Sequence, residues 1–136
     1  MQNEIKAIGV FCDYTADGLW INGFATDLEN LLKELNITIP DFKELNEKIN
    51  KWQLMFEKFN FYLPESNIEA IRESKEYQEF QKLGEEIARR IREIVPDNIL
   101  VYYWDEAYDR KYAILPEGDF IDITPEEIKE SYDSIL

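Results

Sequence analysis

The groups able to do chemistry in this 136-residue chain are carboxylates, tyrosines and a single thiol, and the chain has no histidine at all. Without an imidazole there is no ordinary general base for neutral pH, no Ser/His or Cys/His dyad, and no commonest metal ligand. Cys12, the sole cysteine, stands among apolar residues of a predicted strand, where a buried structural thiol is expected rather than a nucleophile. No G-x-G-x-x-G, P-loop, CxxC or EF-hand spacing occurs, so neither a cofactor nor a resident metal is expected. Carboxylates leave one catalytic alternative open. Asp13 and Asp17 flank one predicted turn, and Asp105, Glu106 and Asp109 crowd a second. Brought side by side, these acids would bind a divalent cation or act as an acid/base pair in a small, metal-assisted enzyme.

A different chemistry is suggested by the run Tyr102, Tyr103, Trp104, Asp105, Glu106, Tyr108, Asp109 and Tyr112. In a strand, Tyr102 and Trp104 share one face while Tyr103 and Asp105 share the other. One set is expected to enter the core and the other to leave tyrosine and carboxylate exposed together. Such a surface grips lysine and arginine of a protein partner. The residues expected to bind that partner are Tyr103, Asp105, Glu106, Tyr108 and Asp109; which tyrosine faces outward depends on the register.

The elements that must position these groups follow from local pattern. Residues 5–14 are rich in strand formers and apolar on both faces, as in a central strand. Thr15 to Gly18 supply turn chemistry, and residues 19–24 return as a second strand. Thr26 and Glu29 form a capping box ahead of Leu28, Leu31, Leu32 and Leu35. Asp41 is placed to cap a helix whose apolar residues recur at threes and fours from Phe42 through Trp52 and Phe56 to Phe59. Ser66 and Glu69 make a second capping box. Ser74 opens a longer helix carrying Tyr77, Phe80, Gly84, Ile87 and Ile91, with Glu85 and Glu86 four residues before Arg89 and Arg90. Strands are expected over 99–105 and 110–115, with a short edge strand over 120–123. Thr124, Pro125 and Glu127 open a terminal helix. Two hairpins around a helical block predict one α+β domain over 1–136, with a mainly antiparallel sheet of four or five strands on a helical layer. Trp52, Phe56, Phe80, Ile87 and Ile91 are the expected core.

Charge narrows the partner. The chain carries 15 basic and 29 acidic residues, net −14. Residues 97–136 hold 3 of the former and 11 of the latter, net −8, the densest negative stretch. Such a field repels phosphate backbones and anionic lipid and draws basic surfaces in. Direct nucleic-acid binding is therefore not expected, although acids spaced like phosphates would suit a mimic of nucleic acid. The basic cluster Arg89, Arg90 and Arg92 is balanced by neighbouring acids. No apolar run approaches the roughly 20 residues that cross a bilayer, and no signal peptide is evident, so the cytoplasm is the expected compartment.

The stretch from Glu76 to Glu106 resembles small acidic bacterial immunity proteins of polymorphic toxin systems, including contact-dependent growth inhibition. Phe80, Gly84, Ala88 and Ile91 match a helix pattern of that group, and Val101, Tyr103, Asp105 and Glu106 match the strand that follows it. Residues 12–20 are similar too. The resemblance implies a cytosolic protein without catalytic residues that binds and blocks one toxin, often a nuclease with a basic cleft.

Overall fold

The computed structural model describes residues 4–59 and 67–133. Its elements run β1 (Ala7–Val10), β2 (Leu19–Ile21), β3 (Phe24–Thr26), α1 (Leu28–Leu35), α2 (Phe42–Glu57), α3 (Ile68–Glu73), α4 (Lys75–Ile94), β4 (Leu100–Asp105), β5 (Arg110–Ile114), β6 (Phe120–Asp122) and α5 (Pro125–Asp133). The strands form one sheet in the order β3-β2-β1-β4-β5-β6. The fold is α+β, as the segregation of strands and helices predicts. Four of the five pairings are antiparallel, and the fifth joins the two halves: β1 runs parallel to β4, with Ile8 opposite Val101 and Val10 opposite Tyr103.

The sixth strand comes from a turn inside the segment expected to be a single strand. Asn22 and Gly23 both have positive φ, +47° and +85°, the backbone that an Asn-Gly pair adopts at least cost in a tight hairpin. Asn22 also accepts hydrogen bonds at Oδ1 from the Lys6 and Ala7 amides (2.9 and 3.0 Å) and donates from Nδ2 to Glu4 O (2.8 Å). One side chain thus turns β2 into β3 and ties down the start of β1.

Helix ends follow the expected chemistry with three departures. Ser74 accepts from the Tyr77 amide, and Thr124 and Glu127 exchange hydrogen bonds as a complete capping box. At α1, however, Asp27 accepts the Asn30 amide, while Thr26 accepts from the Asn30 side chain; the shorter-reaching hydroxyl is one residue too early. At α3, Asn67 caps through the Ala70 amide, and Ser66 lies outside the described residues. Asp41 precedes α2 but makes no side-chain cap. Its carboxylate is held instead by Arg90 of α4, at 2.7 and 3.2 Å.

The apolar stripes of α1, α2 and α4 meet one face of the sheet. Trp52, Phe56, Ile87 and Ile91 are fully buried and Phe80 nearly so. Gly84 is where α4 comes closest: a Cβ there would lie 2.7 Å from the Tyr103 hydroxyl and 2.8 Å from Trp52 Nε1. Charges tie the helices together across the layer. Glu86 pairs with Lys48 of α2 (2.9 Å) rather than with Arg90, which is taken by Asp41; Glu85 reaches Arg89 at 3.9 Å. Arg92, only 4% exposed, donates to the carbonyls of Val95, Pro96 and Ile99 (2.6–3.1 Å) and thereby fastens the end of α4 to the start of β4. Burial lowers its pKa from the usual arginine range.

The second face of the sheet is partly covered by α5. Ile128 packs there on Ala7 and Tyr102, with Tyr132, Ile123, Leu100 and Phe11 around them. Thus β1 is buried throughout and β4 in its middle, while Trp104 near the end of β4 stays partly exposed. No helix among the described residues is long and apolar enough to cross a membrane.

Candidate partner-binding surface

The second hairpin pairs Tyr103 with Tyr112 and Asp105 with Arg110, and residues 106–109 turn it. The turn closes through the Asp109 amide on Glu106 O (3.3 Å), with Asp109 at φ +48°, a left-handed conformation that aspartate tolerates better than most residues. Three side chains from the helical block hold this turn from beneath. Tyr77 of α4 donates its hydroxyl hydrogen to Asp105 Oδ1 (2.6 Å) and accepts from the Ala107 amide (2.9 Å). Gln81 donates to Asp105 Oδ2 (2.7 Å), and Arg72 of α3 donates from Nε to Ala107 O (2.7 Å). The Arg72 guanidinium then lies 5.2 Å from the Tyr108 ring centroid. The loop is preorganised rather than loose.

This arrangement divides the five residues expected to bind a partner. Tyr103 is 2% exposed. Its ring packs near Trp52 (6.3 Å) and Phe120 (6.0 Å), and burial pushes its hydroxyl well above the usual tyrosine pKa. Asp105 is 7% exposed, with both oxygens bonded to Tyr77 and Gln81. The face expected to leave tyrosine and carboxylate exposed together is therefore an inner face. The opposite face does not reverse the picture, because α5 buries Tyr102 there. What remains accessible is Tyr108 (44% exposed) and Asp109 (side chain 77% exposed); Glu106 is half-buried, with its Oε2 out of solvent.

Asp109 connects the turn to the outer sheet face. It accepts from Trp104 Nε1 (3.1 Å) and from Lys111 Nζ (3.4 Å), while the same ammonium sits 4.4 Å from the Trp104 ring centroid. Beside Trp104 lie Phe11 and Trp20, the latter two stacked at 4.6 Å with an interplanar angle of 3°. These three aromatics were not among the expected site residues. Tryptophans at 20 and 104 are conspicuous in the sequence, but their juxtaposition requires the parallel β1–β4 pairing, which no local pattern announces.

The acids considered for a cation site do not converge. Asp13 Oδ1 accepts the adjacent Tyr14 amide, Asp105 is committed to Tyr77 and Gln81, and Asp109 belongs to the Trp104 side. Among the described residues no group of three or more His, Cys, Asp or Glu is placed to hold a metal ion. Cys12 is buried, and burial together with nearby Glu106, Glu57 and Asp13 raises its thiol pKa. Nor do the three arginines of α4 line a basic groove. Arg92 points inward, Arg90 holds Asp41, and Arg89 lies 4.8 Å from the Phe120 ring centroid.

Comparison with family models matches residues 6–106 to the Serratia CdiI immunity protein-like family. That span covers every element from β1 through β4 and ends in the turn after it. Comparison with curated proteins and with solved structures finds no match.

Proposed function

The chain belongs to the Serratia CdiI immunity protein-like family, and from that premise we propose that it binds one cognate toxin domain in the cytoplasm and blocks it, with no catalysis of its own. The family match carries this reading, and the net charge of −14 supports a partner with a basic surface, such as a nuclease-type toxin. A basic cleft that handles nucleic acid would be drawn to this protein by the same field.

The proposed contact surface is the exposed part of the second hairpin, Tyr108 and Asp109, extended by the acids of 117–130. Its support is the rigid seating of the turn on Tyr77, Gln81 and Arg72, which lowers the ordering cost of binding. Tyr103 and Asp105 act beneath this surface, holding its shape.

The experiment is co-expression. The toxin domain encoded next to this chain's gene is induced in a bacterial host with and without the chain, and growth and calorimetric affinity are measured. Rescue of growth with nanomolar binding is expected. Growth arrest despite soluble, folded chain, with no complex in the calorimeter, rejects the reading.

A further inference from the structure

The outer sheet face carries an aromatic platform that the fold leaves half open. Registers align Trp20, Gly9 and Tyr102 in one row across three strands. Gly9 has a packing reason: a Cβ there would lie 2.6 Å from the Tyr102 hydroxyl and 2.9 Å from the Phe11 ring. Phe11 consequently lies over the centre of the cluster, stacked on Trp20 and edge-on to Trp104 (5.5 Å, 69°). Helix α5 buries Tyr102 and also packs against Phe11. Phe11, Trp20 and Trp104 stay partly exposed, on a face where scattered apolar side chains would need no explanation but a stacked cluster does.

Both indole N–H groups are already used, Trp20 Nε1 on Phe11 O (2.9 Å) and Trp104 Nε1 on Asp109 Oδ1. What the indoles offer outward is therefore ring surface. One cation already demonstrates what that surface accepts: Lys111 stands over Trp104 and against Asp109 at once. A guanidinium suits this pair better than an ammonium, since it stacks flat on an indole and forks onto a carboxylate.

We infer that this platform is a docking surface for the toxin domain, and that Trp104 with Asp109 receives a lysine or arginine of the toxin in the position Lys111 holds in the free chain. The inference rests on the immunity reading above and adds a second face to the hairpin turn, with Asp109 shared by both. Aromatic anchors beside a paired charge are the composition that concentrates binding energy at protein interfaces.

The test uses the full chain and the catalytically inactivated toxin domain encoded beside it. The chain has three tryptophans, and Trp52 is fully buried, so acrylamide quenching reports Trp20 and Trp104. Quenching of both is expected to fall at least threefold in the complex. Trp20→Ser and Asp109→Asn are each expected to raise Kd at least tenfold; the thermal midpoint is expected to stay unchanged in Asp109→Asn and to fall in Trp20→Ser, which also loses the stacking on Phe11 and the bond to Phe11 O. A complex of wild-type affinity in both variants, or one whose tryptophans stay as quenchable as in the free chain, overturns the inference while leaving the immunity reading standing. Failure of the wild-type chain to bind the toxin at all overturns both. Sedimentation of the free chain as a dimer that Trp20→Ser dissociates assigns the platform to a second copy and likewise overturns the inference.

Discussion

Tyr77 and Asp105, 28 residues apart, share a 2.6 Å hydrogen bond in which the phenol donates and the buried carboxylate accepts. The bond makes α4 the foundation of the second hairpin, because the same phenol oxygen accepts from the Ala107 amide. Tyr77→Phe keeps the ring packing but strips Asp105 of a donor and Ala107 of an acceptor. Each buried group left unpaired costs about 1–3 kcal/mol. The expected result is a lower urea midpoint at unchanged m-value, with faster amide exchange at residues 105–109. Exchange at the turn equal to wild type would show that the loop does not depend on this bond.

Gly84 poses a sign question that magnitudes decide. Alanine is favoured over glycine inside a helix by about 1 kcal/mol. Against this, the new methyl would lie 2.7 Å from the Tyr103 hydroxyl and 2.8 Å from Trp52 Nε1, and overpacking a tight core costs about 1–3 kcal/mol. Trp52 is locked against Phe80 at 5.4 Å and has little room to yield. Gly84→Ala should therefore destabilise. Adding Tyr103→Phe removes the nearest obstructing atom, so the double variant should recover part of the loss in a double-mutant cycle. Strict additivity of the two changes would contradict the geometry.

Alkaline stability should reflect three inward tyrosines. Burial raises the pKa of Tyr77, Tyr102 and Tyr103, and for Tyr77 the bond to Asp105 raises it further. In the unfolded chain these phenols titrate at the ordinary value of about 10. A raised folded-state pKa means the folded state keeps protons that the unfolded state releases. The contribution to stability is thus whole below pH 10 and is lost progressively above it. Urea midpoints measured across pH 8–11 should fall only in the upper part of that range. Phenolate absorbance should show these three rings ionising together with unfolding. Gradual titration of all tyrosines in a folded chain would be the contrary result.

The expected core was legible because its signals are periodic: Trp52 and Phe56 lie four apart on α2, and Phe80, Ile87 and Ile91 keep one face of α4. The β2–β3 turn was missed although Asn22-Gly23 is a strong hairpin signal, because the apolar residues on both sides of it read as one strand. The placement of Tyr103 was not legible. Alternation identifies an inner face only when the other face is wet, and the middle of β4 is buried on both, by α4 against Tyr103 and by α5 against Tyr102. Asp105 misled for a related reason: a carboxylate suggests exposure until Tyr77 and Gln81 are seen to satisfy it. The cross-layer pairing of Asp41 with Arg90 likewise depends on how α2 and α4 are docked, which spacing within either helix does not encode.

The contact surface itself yields the last prediction. Charge reversal at Asp105 would test folding rather than binding, because that carboxylate is buried and doubly bonded. The informative changes are at the exposed positions, Tyr108→Ala combined with Asp109→Lys. Reversing an exposed charge acts mainly on the encounter rate and its salt dependence, and removing an aromatic anchor acts mainly on dissociation. Association with the toxin domain should slow by about tenfold at low salt, and raising ionic strength should slow the wild type more than the variant. Reversing the exposed Glu29 and Glu34 of α1 leaves net charge altered by the same sign but far from the turn, and should change the rate by less than about threefold. Equal effects from the two charge reversals would mean that overall charge, not this turn, steers the encounter. Wild-type kinetics in the Tyr108/Asp109 variant would move the interface off the second hairpin altogether.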